Sequence, residues 1–194
     1  MLKKIGLWLL GVGVIMASGT IYIYNNLLTL ESFVQCSLSN LESVLQRRLD
    51  LIPNLVNTIK GYTLYESKTL QGVIEARAKA LAIKINLESE ESVKQFQKAH
   101  SELGKGLSRL LAISERYPIL KASDLFKDLM VQIEGAENRI NIGRQELNAS
   151  IQKYNISIRK FPHSLINKIF LGLKEKVPFQ ADAEAQKTVK VDFS

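Results

Sequence analysis

The sequence has 194 residues, of which 46% are apolar and 23% charged, with a formal net charge of +7. That length allows one domain of ordinary size plus an appended segment, and the balance of apolar to charged residues excludes both a disordered chain and a polytopic membrane protein. With 11 glycines and 4 prolines to punctuate it, the chain is built of few, long elements, which means helices.

The first element is apolar. Met1-Leu2-Lys3-Lys4 precedes a run from Ile5 to Tyr24, and no charged residue occurs between Ile5 and Leu30. A run of about 20 apolar residues spans the ~30 Å hydrocarbon core of a bilayer. Trp8 near one end and Tyr22 and Tyr24 near the other suit the headgroup layers. We therefore expect a short cytoplasmic N-terminus at 1–4, a transmembrane helix at 5–24 that holds the chain in the lipid bilayer, and a bundle domain at 25–161. A signal peptide cleaved near Ala17-Ser18-Gly19 is the rival reading. It is disfavoured because the apolar run continues through Ile21 and Ile23 to Leu28. A lipoprotein is excluded, since no cysteine directly follows that run. Lys3 and Lys4 flank the span before Arg47 supplies the next basic residue, so the positive-inside rule puts the N-terminus in and the domain outside the cytoplasm of a bacterial inner membrane.

Without those two lysines the rest of the chain carries about +5. Its charges interleave with acids, as in Glu66-Ser67-Lys68 and Glu75-Ala76-Arg77-Ala78-Lys79, the pattern of a solvated helix surface. There is no basic stripe with clustered aromatics, so no nucleic-acid partner is expected. A weak attraction to anionic headgroups fits a domain beside a membrane. The single cysteine, Cys36, excludes an internal disulfide and a cysteine-based metal cluster. Its neighbours Phe33, Val34 and Leu38 predict a small buried core residue.

The first bundle helix carries a stripe of Val34, Leu38, Leu41, Leu45, Ile52, Leu55, Val56 and Ile59, with Arg48 on the same face. It is expected to run on from the anchor, with a kink near 49–53 at Pro53. A break at 61–64 precedes a second helix at 65–87, with Leu70, Val73, Ile74, Arg77, Leu81 and Ile85 on one side. The acids of 88–92 suit the start of a third helix, which carries Val93, Phe96, His100, Leu103, Leu107 and Leu110 and stops at Tyr117-Pro118. The fourth begins at Ser123, a good N-cap. Phe126, Ile133, Ile140, Leu147, Tyr154 and Phe161 then recur every seven residues, a seam that needs an equally long partner, and the first helix alone is long enough. The expected fold is all-α: a transmembrane helix, then an antiparallel bundle of about four long helices. A short helix and a mostly extended tail follow at 162–194, with 189–193 covering a bundle groove.

Chemistry is sparse. No phosphate-binding loop, dinucleotide fingerprint, zinc-protease motif or nucleophile elbow occurs. Gly104-Lys105-Gly106 lies within a helical pattern and suits close helix packing. His100 shares a face with Phe96 and Leu103 and is expected to be packed, and His163 has no acidic or thiol neighbour. A di-metal carboxylate site would need a glutamate three residues before a histidine, where Gln97 and Lys160 stand, so neither a metal nor a cofactor is expected. The candidate polar interaction cluster is Arg47, Arg48, Asp50 and Asn54 on the first helix with Glu134, Glu137, Asn138 and Arg139 on the fourth. In an antiparallel pair these meet at one level and fix register.

At these residues the sequence resembles the LemA family. The matching blocks are Leu45–Val56 with Lys60-Gly61-Tyr62, then Glu75-Ala76-Arg77, Glu115–Ser123, Ile133–Ile140, Tyr154-Asn155, Arg159–Pro162 and Val191-Asp192-Phe193. The stretch 78–100 matches in helical character alone, and 34–42 lacks the family's usual wording. The resemblance implies a transmembrane N-terminus and a bundle of long helices; it implies no settled molecular function, and some family descriptions place the N-terminus outside. Some relatives are associated with specialised membrane compartments such as magnetosomes. The expected function is a non-enzymatic, membrane-tethered interaction or scaffold module with a protein or envelope partner. The alternatives are a ligand sensor or hydrolase using Arg48, Asp50, Glu137 and Asn138, or a membrane-shaping protein.

Overall fold

The computed structural model describes residues 2–62 and 66–180, with side-chain surroundings from residue 6 onward. The expected extended segment at 189–193 lies outside the described residues. All described elements are helical: α1 (Leu2–Lys60), α2 (Ser67–Ala82), α3 (Glu90–Ser114), α4 (Pro118–Ala122), α5 (Asp124–Arg159) and α6 (His163–Ile166), which passes directly into a π-helical turn (Asn167–Leu171).

The anchor and the first bundle helix are one element. At 59 residues and 1.5 Å per residue, α1 is about 90 Å long. Its N-terminal part is apolar and long enough to cross a membrane, and packs against nothing within the chain. There Ser18 donates to the Ile15 carbonyl and Thr20 to that of Met16, both at 2.9 Å. These back-bonds satisfy the hydroxyls without breaking the apolar surface. From Leu27 onward the stripe of Val34, Leu38, Leu41, Leu45, Ile52, Leu55, Val56 and Ile59 is buried, as its spacing predicts. Pro53 lies inside α1 on its exposed side and does not end it.

The packing is antiparallel. Arg48 faces Glu137, and Leu41 lies against Gly143, where a Cβ would come within 3.3 Å of Leu41 Cδ1. The long partner that the seam of α5 requires is therefore α1. α2 and α3 form the second pair, drawn together at Gly106, where a Cβ would stand 3.1 Å from Val73 Cγ2. Gly104 has open space instead. Two apolar clusters fill the bundle. One runs from Leu49 to Ile59 with Leu70, Leu103, Leu110 and Ile133. The other runs from Leu27 to Leu45 with Phe96, Ile140, Tyr154 and Phe179.

Four expectations are corrected. Cys36 is exposed: it lies two residues, about 200° of helical rotation, from both Val34 and Leu38, which are buried. The second helix ends at Ala82, because Ile83 is extended (ψ 117°). The third helix, expected to run to Tyr117, ends at Ser114, and residues 118–122 form a separate one-turn helix opened by Pro118, the position where proline's missing N–H costs nothing. The seam of α5 stops at Arg159, and Phe161 is 78% exposed, since Pro162 pushes it out of helical conformation.

Candidate functional site

A polar layer separates the two apolar clusters. Arg48, on the buried stripe of α1, is 2% exposed. Its Nη1 donates to Glu137 Oε2 of α5 at 2.6 Å. Its Nη2 lies 3.3 Å from His100 Nδ1 of α3 and 3.5 Å from the His100 carbonyl. A guanidinium can only donate, so Nδ1 accepts and His100 is the neutral tautomer with its proton on Nε2. Burial, then the charges of Arg48 and Arg144, lower the pKa of His100 to about 4. Phe96 flanks the imidazole with ring centroids 4.4 Å apart. Burial also lowers the pKa of Arg48, against which Glu137 acts. Arg48 Nε is buried with no hydrogen-bond partner.

Of the eight residues in the candidate cluster, the structure brings together Arg48 and Glu137. Arg47, Asp50, Asn54, Glu134, Asn138 and Arg139 lie on exposed faces of α1 and α5. Asp50 accepts from Gln46 at 2.8 Å, one turn back on its own helix. Asp50 and Asn138 therefore do not converge with Arg48 and Glu137 on a common point. Adjacent helix positions differ by about 100° in direction, so membership of one sequence cluster did not mean membership of one face. His100 is packed, as its apolar face predicts, and its place beside Arg48 is set by the level of α3, which periodicity leaves open.

An open recess of about 420 Å³ lies on α2 and α3, lined by Lys68, Glu75, Lys79, Glu102, Lys105 and Arg109 among others. A smaller one, of about 170 Å³, lies at the level of the polar layer, lined by Leu45, Leu49, Phe96 and His100 among others. Neither is lined by Asp50, Glu137 or Asn138. Among the described residues, no three His, Cys, Asp or Glu side chains gather in a group that could hold a metal ion.

The second built feature is an extended strap, residues 172–180, held by asparagines. Asn155 of α5 donates to the Lys176 carbonyl at 2.7 Å and accepts from the Lys176 N–H at 2.9 Å. Seven residues earlier, Asn148 does the same for Phe179, at 2.9 and 2.8 Å. Asn167 holds Leu173 in the same two-bond way, at 3.0 and 2.8 Å. Val177 donates to the Leu87 carbonyl at 2.7 Å, and Tyr154 Oη to that of Lys174 at 3.0 Å. Lys176 pairs with Glu88 at 2.7 Å and lies 5.8 Å from the Tyr154 ring centroid. Burial pushes the Tyr154 phenol up to about 12, helped by the charges of Glu31 and Glu88. Each asparagine thus presents donor and acceptor to one residue's main chain, as a neighbouring strand would. The sequence signal was the spacing of Asn148 and Asn155, each one residue after a buried seam position.

With this geometry in hand, comparison with known proteins is specific. The chain is 28% identical over 158 residues to the magnetosome protein MamQ of Magnetospirillum gryphiswaldense, covering 72% of this chain and 58% of that relative. It is 27% identical over 176 residues to MamQ 2 of Paramagnetospirillum magneticum, covering 81% of this chain and 64% of that one. The match thus spans less than two thirds of either relative's length. The family model for LemA matches residues 37–193, which takes in the α1–α5 pair, the polar layer and the strap. The chain belongs to the LemA family.

Proposed function

We propose that this protein is a single-pass protein of the bacterial inner membrane whose bundle stands outside the cytoplasm and serves as a non-enzymatic interaction or scaffold module. The observation that carries the reading is the continuity of α1. Residues that are apolar and unpacked pass without a break into the stripe that forms the spine of the bundle. A bundle on such a stem moves as one body with its anchor and presents its surface at a fixed distance from the bilayer. The polar residues support the same reading. Arg48 and His100 are enclosed, and Arg48 is committed to both His100 and Glu137, as expected of a layer that fixes register. Lys3 and Lys4 support the orientation. The relatives are magnetosome proteins, and service at a bacterial membrane compartment is part of this reading.

The test is photo-crosslinking in cells from exposed positions at the far end of the bundle, such as Ile119 and Leu125, 77% and 60% exposed. A defined protein or envelope component trapped from these sites supports the module; a diffuse set equal to that from a soluble control overturns it. A reporter fused after Ser194 tests the side: activity of a cytoplasmic reporter there overturns the orientation alone.

A further inference from the structure

We propose that α6 and the π-helical turn after it form a foot that rests in the headgroup layer of the bilayer, taking up anionic lipid surface beside the anchor. The proposal rests on reading α1 as a membrane span and is independent of its orientation. The register of α1 against α5 places the foot. Arg48 opposite Glu137 and Leu41 opposite Gly143 put the last turn of α5 level with Asn25 and Asn26, immediately beyond the apolar run that ends at Tyr24. There the chain reverses. The strap returns along α5, with Lys176 at Asn155 and Phe179 at Asn148, so residues 160–171 form the membrane-proximal end of the bundle.

The surface of that end has the composition of an interfacial helix. Ile166 is buried, and Leu171 packs against the cluster of Leu27 and Ile158. Turned outward are Phe161 (78% exposed), Leu165 (53%), Ile169 (62%) and Phe170 (60%). A water-facing turn has no reason to expose four large apolar side chains in ten residues. The π geometry contributes: Gly172, at φ +64°, closes the turn by donating to the Asn167 carbonyl at 2.7 Å. Lys160, Lys168 and Lys174, in or next to the same stretch of chain, are exposed. Exposed apolar side chains interspersed with exposed lysines, level with the end of a membrane span, are complementary to acyl chains below anionic headgroups.

The experiment uses the full chain, carrying Cys36→Ser and one new cysteine labelled with an environment-sensitive fluorophore, in vesicles of phosphatidylcholine and phosphatidylglycerol that contain nitroxide lipids. Labels are placed by Ile169→Cys in the foot, Ile15→Cys in the span and Ile119→Cys at the far end. The expected result is a blue-shifted, strongly quenched label at 169, a quenched label at 15 and an unquenched one at 119. A label at 169 that behaves like 119 while 15 is quenched overturns the foot and leaves the span standing. A blue shift at 169 without quenching means that protein, such as a second copy of the chain, covers the patch, and also overturns the foot. An unquenched label at 15 overturns the span and the foot together. Quenching at 169 should weaken in pure phosphatidylcholine, and equal quenching in both lipids overturns the role given to the lysines.

Discussion

Arg77 of α2 donates from Nε to the main-chain carbonyl of Leu49 in α1 at 2.8 Å. In an uninterrupted helix that carbonyl would accept from the residue four positions on, but that residue is Pro53, which has no N–H. A side chain from the neighbouring helix thus supplies the donor that the proline withholds, and α1 continues through it. Removing the guanidinium by Arg77→Ala should cost about 1–3 kcal/mol, the range for stranding a partly buried carbonyl. The same change in a Pro53→Ala background should cost less, because an alanine at that position restores the helical donor. A double-mutant cycle from chemical unfolding in detergent measures the coupling, and equal costs in both backgrounds would disprove the link.

The ion pair of Arg48 and Glu137 is lopsided: one side chain is 2% exposed and the other 48%. Breaking it from the glutamate side strands a buried cation whose Nε already lacks a partner. Glu137→Ala should therefore destabilise by about 2–4 kcal/mol. Arg48→Met/Glu137→Ala, which removes the buried charge as well, should come back to within about 1 kcal/mol of the parent. Thermal unfolding of the three proteins checks the order; a double variant less stable than Glu137→Ala would mean that the guanidinium stabilises the bundle through contacts other than the pair.

Periodicity made the long elements legible. The stripe from Val34 to Ile59 and the seam from Phe126 to Tyr154 are buried, and they pair because each is the other's match in length. What periodicity could not supply was relative level. Arg48 points inward and Glu137, half exposed at the edge of α5, reaches it, whereas Asp50, Asn138 and the rest of that cluster are neighbours in sequence that face outward. His100 joins Arg48 through the height of α3, which a three-dimensional register sets. The loosened pattern after Pro162 predicts an extended tail with its groove-covering part at 189–193, not a strap at 172–180, whose holding bonds come from single asparagines that leave no hydrophobic signature.

His100 should make stability depend on pH. Its folded pKa, about 4, lies below its ordinary value of 6.5, because the imidazole is buried and faces the charges of Arg48 and Arg144. Between these two values the unfolded chain takes up a proton that the folded chain refuses. Its contribution is therefore fully present above pH 6.5 and is lost as pH falls toward 4, by up to about 3 kcal/mol. His100→Asn puts an amide oxygen where Nδ1 stands, keeps the acceptor for Arg48 and does not titrate. Unfolding free energies of parent and variant should run together above neutrality and diverge below about pH 6, with the parent losing more. Parallel curves across that range would mean that the histidine charges in place.

The strap should open in steps set by its asparagines. Asn155 makes two bonds to Lys176, one as donor and one as acceptor. Asn155→Leu keeps the volume and loses both, so hydrogen exchange at the Lys176 amide should quicken about tenfold, equivalent to about 1.4 kcal/mol of local stability. Asn155→Asp keeps the acceptor for the Lys176 N–H and loses the donor, so its effect should be smaller. The Phe179 amide, held by Asn148, should respond less than Lys176 in both variants. Exchange measured residue by residue separates these cases. Equal acceleration at both amides would mean that the strap lifts as a single unit, with the Val177 bond to Leu87 and the Lys176 ion pair to Glu88 too weak to divide it.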